Sequence, residues 1–508
     1  MFFEEKYSKL VKTITWLFFA ILVISYGFYL FKIISLGEYY PSRSDEMGYF
    51  LEAKGFAETN SLAPYISQDE MIAPLFDMGT HGPMYAFTHG TIAKIFGLHG
   101  LNFVLLNFTF LFGYFWMIWK KEDFDFNQKM ALFLIQFGYY ITFFFTFAFN
   151  QEVIHIFFGT ALVLNLIDLY KKHENHENLD WKSIGVFLLL LLFMVLYRYG
   201  WVLAVVALVP LGKNKKDFFR LSVTMFVVLI LGQLYRKYFH ASTDATLLQN
   251  VPTHIVTGNA DAVFSEMKRN IVNNLKFFFF DIYKYANYYY SKLLYFALTA
   301  YLFYVGIKNK DRLCLAGSFV GGAHFLALII LYNAFDYRET RGLAASLAMM
   351  VIIMVYRKFK FMTTIFVLYT IVTFPFMFKE FNWLIFSKEV ASTKLYLEKK
   401  VKDFSSFGNL PVREGRDMVT ILFPENIFWV ATPGIRRLTI KDILHTPLLT
   451  MPTKNFQGYR MRYTFNRHDI KDDFKQQGRF PIDYVLIPGQ GIVLNSDKVK
   501  ALSKSNKI

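Results

Sequence analysis

Long apolar runs separated by short lysine- and arginine-rich breaks limit this 508-residue chain to a helical bundle in a bilayer. A spanning helix needs about 20 mostly apolar residues, and lipid satisfies no open backbone. Lys120-Lys121, Lys171-Lys172, Lys213/Lys215/Lys216, Lys308/Lys310/Arg312 and Arg357-Lys358/Lys360 each follow an apolar run. Cations in that pattern mark the cytoplasmic ends of spans. Most of the net charge of +16 is therefore topology, and no nucleic-acid partner is implied. Hydrophobic residues at 54% and aromatics at 19% suit lipid contact and interfacial belts. The single cysteine, Cys314, leaves no intramolecular disulfide. Lys6, Lys9 and Lys12 precede the first run, and no small-residue cleavage site follows a short apolar core. The segment is expected to remain as an uncleaved span.

Holding the basic clusters inside fixes the parity of the spans. The first, about 14–36, leads out into an external loop over 37–99. Runs at about 100–119, 129–148 and 153–170 then return, leave and return. The stretch 184–211 is interrupted by Tyr197-Arg198-Tyr199-Gly200, with basic residues at both ends. It reads as a hairpin of two short segments, each near 20 Å, with Arg198 at the external turn. A single tilted helix with Arg198 paired internally is the alternative.

A span at about 219–237 leads to a second external segment, 238–290, which ends in an aromatic-rich stretch of interfacial type. Further spans follow at about 291–307, 313–332, 342–356 and 361–378. The expected fold is an α-helical polytopic membrane protein of about eleven spans. A transmembrane module over 1–380 is expected to precede a small extracytoplasmic α/β domain over 381–508. There the short β-type runs MVTILF, IFWVAT and DYVLIP alternate with polar helical stretches. The expected location is the inner or plasma membrane, with the amino terminus in the cytoplasm.

Four external clusters could carry chemistry. Ser44-Asp45-Glu46 lies just beyond the first span, where an ionisable group is a functional candidate or, more plainly, a helix cap. Gly79-Thr80-His81-Gly82-Pro83-Met84-Tyr85 ends the same loop. Gly82-Pro83 makes a rigid helix entry there, and His81 could titrate, bind metal, hold an anion or simply be satisfied by water. Glu152 and His155, at i and i+3, share a helical face fit for a divalent metal or an acceptor. A carboxylate in a first turn is also favourable by itself. Arg198, Arg338 and Arg341 lie outside against the positive-inside bias, and their planar forks match phosphate. Ion pairs with Asp336 or Glu339 are the plainer explanation for the last two. External acids with external arginines point to a phosphate leaving group and a hydroxyl acceptor needing a base.

In order, these segments resemble the GT-C membrane glycosyltransferases, in particular the aminoarabinose transferase and protein O-mannosyltransferase branch. Asp45-Glu46-Met47-Gly48-Tyr49-Phe50-Leu51-Glu52-Ala53 is similar to the branch's D-E-x-x-Y-x-x-x-A. His81-Gly82-Pro83-Met84-Tyr85, followed by Ile95-Phe96-Gly97, resembles its H-x-P-L-Y and the amphipathic helix after it. Arg198-Tyr199-Gly200 resembles a basic break between the fifth and sixth spans, and the segment from Tyr337 and Arg338 to Arg341 a late arginine motif. A double proline of the family is Gly82-Pro83 here and the lysine before it is absent, which counts against an aminoarabinose specificity toward lipid A.

The resemblance implies an inverting transfer from a polyprenyl-phosphate sugar to a hydroxyl or phosphate of a lipid, glycan or protein acceptor on the extracytoplasmic face. In it Asp45 is the base, with Glu46 and Glu152 as the further catalytic acids. His81 and Tyr85 shape the sugar and phosphate site, and Arg198, Tyr337, Arg338 and Arg341 face the lipid phosphate. No cofactor is named by the sequence; a divalent metal is left open, with Glu152 and His155 as candidate ligands. A lipid-linked glycan ligase or polymerase is the alternative enzyme, and a lipid-linked sugar flippase or transporter the non-enzymatic one.

Overall fold

The structure, a computed structural model, describes residues 5–35, 82–175, 180–239, 260–280, 286–331 and 340–391. It also describes a few positions between 49 and 62 and four short strands between 419 and 494. The helices are α1 (Glu5–Ser35), α2 (Pro83–Phe96), α3 (Gly100–Lys120), α4 (Phe126–Phe137), α5 (Tyr140–Thr146), α6 (Glu152–Asn175) and α7 (Trp181–Tyr197). A 3₁₀ segment, Tyr199–Leu211, follows. Then come α8 (Lys215–Phe239), α9 (Ala260–Phe280), α10 (Ala286–Lys308), α11 (Arg312–Leu331), α12 (Thr340–Tyr356) and α13 (Lys360–Ala391).

Side-chain caps start several of these helices. Asp125 and Gln128 form a reciprocal capping box at α4. Asp180 accepts from the backbone of Lys182 and Ser183 at α7, and Asp311 from Leu313 and Cys314 at α11. Among the described residues five helices are long and apolar enough to cross a membrane: Thr13–Ser35, Gly100–Lys120, Glu152–Asn175, Lys215–Tyr235 and Arg312–Ile330. The pair α4 and α5 makes a sixth span if taken together. The protein is therefore a polytopic helical membrane protein.

The third span departs from the straight helix expected over 129–148. It bends by 64° between α4 and α5. Gly138 sits at the bend against the Thr370 methyl, and the Tyr26 hydroxyl donates to the Phe137 carbonyl at 3.0 Å. A backbone break inside a bundle persists where a neighbour satisfies the freed groups.

The stretch 184–211 reverses at Arg198, whose backbone is extended (φ −154°, ψ 115°). Lys172 near the end of α6 holds Asp180 and Ser183 at the start of α7, and the Lys213 ammonium reaches the Glu174 carbonyl just after the 3₁₀ segment. Both ends of the hairpin thus return to one lysine-rich end of the bundle. The 17 residues of α7 rise about 26 Å at 1.5 Å each. The 13 residues of the 3₁₀ segment cover about the same distance at 2.0 Å each. The tighter helix lets a shorter strip of sequence recross the same depth.

Small residues seat α12 on α6. A side chain at Gly159 would lie 3.5 Å from the Ala345 carbonyl, and Met349 packs beside it. In lipid such close approach is what holds helices together. Further along, the Arg357 guanidinium lies 4.8 Å over the Tyr170 ring, so α6 and α12 run parallel. Around that point the lysine-rich end is laced by ion pairs. Lys121 meets Asp168 and Asp123, Lys171 meets Asp123, and Arg357 meets Asp311 at 2.8 Å.

At the far side of the sequence α13 continues to Ala391, across the boundary expected at 380. Beyond it, β1 (Val419–Leu422), β2 (Tyr459–Met461), β3 (Tyr484–Ile487) and β4 (Gly491–Leu494) form a sheet in the order β2-β1-β3-β4. β1 pairs in parallel with β2 and β3, and β4 pairs antiparallel with β3. Two of the expected runs, MVTILF and DYVLIP, supply β1 and β3; IFWVAT lies outside the described residues.

Candidate functional site

The end of the bundle opposite the lysine lattice gathers buried polar groups around the start of α6. Asn107 of α3, fully buried, donates to the Ala148 carbonyl at 2.8 Å and lies 3.3 Å from the carbonyls of Phe145 and Thr146. It organises the turn that delivers Asn150, Gln151 and Glu152, all of which are buried.

Two parts of the first long loop converge on this turn. The Tyr85 hydroxyl donates to the Phe149 carbonyl. The Tyr49 ring, from the acidic motif, packs 4.6 Å from the Tyr85 ring. On its other side Tyr85 stacks at 3.8 Å on His89, whose Nδ1 lies 3.2 Å from the Thr88 hydroxyl. The Tyr197 hydroxyl donates to the same Thr88 oxygen at 3.2 Å, so α2 is tied to the end of α7. Desolvation by burial lowers the His89 pKa to about 3 and keeps the ring neutral.

Gly82, at φ +115°, enters α2 directly against the Leu196–Tyr197 backbone. Only a residue without a side chain fits there. The loop end is thereby pressed onto the Arg198 break. Just past that break, the Trp201 indole donates to His155 Nδ1 at 3.1 Å. The His324 ring of α11 lies 5.2 Å from Trp201, and its Nδ1 is 2.9 Å from the Val320 carbonyl.

These partners fix both tautomers. An indole N–H only donates, so His155 Nδ1 is bare and the neutral ring carries its proton on Nε2. A carbonyl only accepts, so His324 carries its proton on Nδ1 and presents Nε2 as an acceptor. Metal-ligating histidines use the opposite arrangement from His155, donating the second N–H to an acceptor. A divalent ion at His155 Nε2 would need that proton on Nδ1, where Trp201 already donates. Glu152 and His155 therefore do not fit a metal site in this arrangement. Among the described residues no group of three or more His, Cys, Asp or Glu side chains could hold one.

Of the residues expected at a site, Tyr85, Glu152, His155 and Arg198 are brought to this one end. Arg341 lies in the first turn of α12. The Gly159–Ala345 contact and the parallel course of α6 and α12 set its backbone level with His155, each four residues before its member of the contact. Asp45, Glu46, His81, Tyr337 and Arg338 lie outside the described residues. Sequence reasoning passed over Asn107, His89, Gln151, Trp201 and His324. The signal that could have found them is a polar side chain inside an apolar run.

At the remote end of the α12–α11 connection, Asn270 and Asn274 of α9 grip the last turn of α11. Asn270 donates to the Ile330 carbonyl at 3.0 Å; Asn274 donates to Ile329 at 2.9 Å and Leu328 at 3.2 Å. These are carbonyls a helix end leaves without an internal partner. The described residues also form a small crevice at the bend of the third span, lined by Gln136, Tyr139, Ser291 and Thr370. It is distinct from the cluster around Glu152.

No family model matches the chain, and no curated protein does. One solved structure is similar, the oligosaccharyltransferase of Archaeoglobus fulgidus in complex with zinc and sulfate. The likeness has a TM-score of 0.45 and 12% identity, over 81% of this chain and 61% of that one. The chain spans about three fifths of that neighbour's length.

Proposed function

We propose that the chain is a GT-C membrane glycosyltransferase that moves a sugar from a polyprenyl-phosphate donor to an acceptor hydroxyl on the extracytoplasmic face of the cell membrane. In this reading about eleven spans place the amino terminus in the cytoplasm and the strand-bearing tail outside as an α/β domain. The observation that carries it is the convergence on Glu152. Tyr49 of the acidic motif packs against Tyr85, and Tyr85 bonds Phe149, three residues before that acid. Gly82 seats the same loop end beside Arg198. Asp45 is four residues from Tyr49 and cannot lie farther than about 14 Å from it along the chain.

The chemistry follows from those groups. The Asp45 carboxylate takes the proton of the acceptor hydroxyl as its oxygen attacks the anomeric carbon. The bond from that carbon to the phosphate oxygen breaks on the opposite face, which inverts the centre. The polyprenyl phosphate leaves with the bonding pair, and Arg198, Arg338 and Arg341 stabilise its charge. Glu46, His81 and Tyr337 line the sugar and phosphate, while buried Glu152 orients the acceptor. No step runs through a metal.

The test is transfer by the purified full-length protein from radiolabelled polyprenyl-phosphate sugars to membrane lipid, glycan and protein acceptors. Asp45→Asn should lower turnover by about 10²–10⁴-fold while donor binding persists. Wild-type turnover in Asp45→Asn would rule out its part as base. Absence of transfer by the wild type from every donor would overturn the whole reading.

A further inference from the structure

The strongest unexplained group at the site is Gln151. Its side chain is 1% exposed, and among the described residues neither its Nε2 nor its Oε1 has a hydrogen-bond partner. Burying an amide with both ends unsatisfied is costly, and folded proteins rarely accept it without a reason. Its own carbonyl is engaged, accepting from the His155 amide at 3.0 Å in the first turn of α6. The orphaned atoms are therefore not a fault of the local fold.

Their position narrows what completes them. Gln151 immediately precedes α6, one turn before His155, and its carbonyl caps that first turn. His155 meets Trp201, and through it His324. His324 Nε2 is a second buried acceptor without a partner. A carboxamide offers two donors and an acceptor on one plane, with no charge. That set matches two adjacent hydroxyls, one accepting and one donating. It matches a phosphate poorly, since the amide oxygen would face an anion.

We propose that Gln151 is the residue that recognises the transferred sugar, bonding a vicinal pair of its hydroxyls, with His324 accepting from a further hydroxyl. The inference rests on the glycosyltransferase reading and adds a substrate class to it: a sugar retaining a free vicinal diol. A site built to bond a hydroxyl rejects the analogue lacking it, because its own polar atoms are then left bare.

The experiment uses Gln151→Met, which keeps the shape of the side chain and removes both polar atoms. Purified full-length wild type and variant are given the polyprenyl-phosphate hexose that the wild type transfers best, and its monodeoxy analogues. Wild type should lose about tenfold to a hundredfold in kcat/KM on at least one analogue. Gln151→Met should start at that lower level and differ by no more than about twofold between parent sugar and analogue. Its melting temperature should equal or exceed that of the wild type, because an unmet amide has been removed. Discrimination retained in full by Gln151→Met overturns the proposal while leaving the transferase reading intact. So does a marked fall in melting temperature, which would reveal an internal water held by the amide. Wild-type protein that transfers no hexose overturns both.

Discussion

A methyl group added at Gly82 tests whether the loop end is truly seated on the Arg198 break. The new Cβ would stand 2.2 Å from the Leu196 carbonyl oxygen and 3.0 Å from its carbon. Ordinary contact begins at about 3.5 Å, so one of the two backbones must retreat by about 1 Å. No flexible side chain can absorb this, since both obstacles are main chain. Overpacking of this kind costs about 1–3 kcal/mol, and holding alanine at a φ of +115° adds about 1–3 kcal/mol. The sum for Gly82→Ala is about 2–6 kcal/mol. A displacement of about 1 Å at a positioning group can lower turnover on the order of a hundredfold. Thermal unfolding in detergent and sugar transfer would be measured beside Gly200→Ala. A Cβ at Gly200, just past the same break, meets nothing within 4 Å, so that variant should behave as wild type. Gly82→Ala with unaltered melting and turnover would refute the packing argument.

Two further outcomes can be checked with little more than purified protein. Asn274→Ala strips the grip on the end of α11 and should cost about 1–3 kcal/mol. Because residues 332–339 with Arg338 follow that end, it should also raise the donor KM several-fold at similar kcat; an unchanged KM would sink the idea that α9 positions them. Asp180 is held below its ordinary value of 3.8, first by the Ser183 hydroxyl and then by Lys172. A carboxylate with a depressed folded pKa stabilises fully above the unfolded value and loses that contribution as pH falls below it. Asp180→Asn should therefore melt lower than wild type at pH 7, with the gap closing as the pH is taken down through the carboxylate range. A gap independent of pH would refute the capping charge.

The path of the backbone was legible where charge interrupted hydropathy. Tyr197-Arg198-Tyr199-Gly200 announced a reversal because basic residues were needed inside at both flanks. The bend at Gly138 was not, since Phe137 to Tyr140 is as apolar as a straight span. A hydroxyl from α1, far away in sequence, meets the Phe137 carbonyl at the break. At the site, motifs named the loop ends, Tyr85 and Arg198, and the acid Glu152. They did not name Gln151, Trp201 or His324, which come together only when α6, the 3₁₀ segment and α11 pack. The chemistry of a side chain could be read from its type; its tautomer could not, because that is set by the neighbour it meets.

The lattice around Arg357 joins the ends of α3, α6, α11 and α12, with one guanidinium touching Asp311 and lying over both Tyr170 and Tyr356. A bundle riveted at one end can only fan open at the other. In the proposed reaction a long-tailed carrier would therefore slip in and out sideways through a single leaflet, with the riveted floor beneath it staying closed.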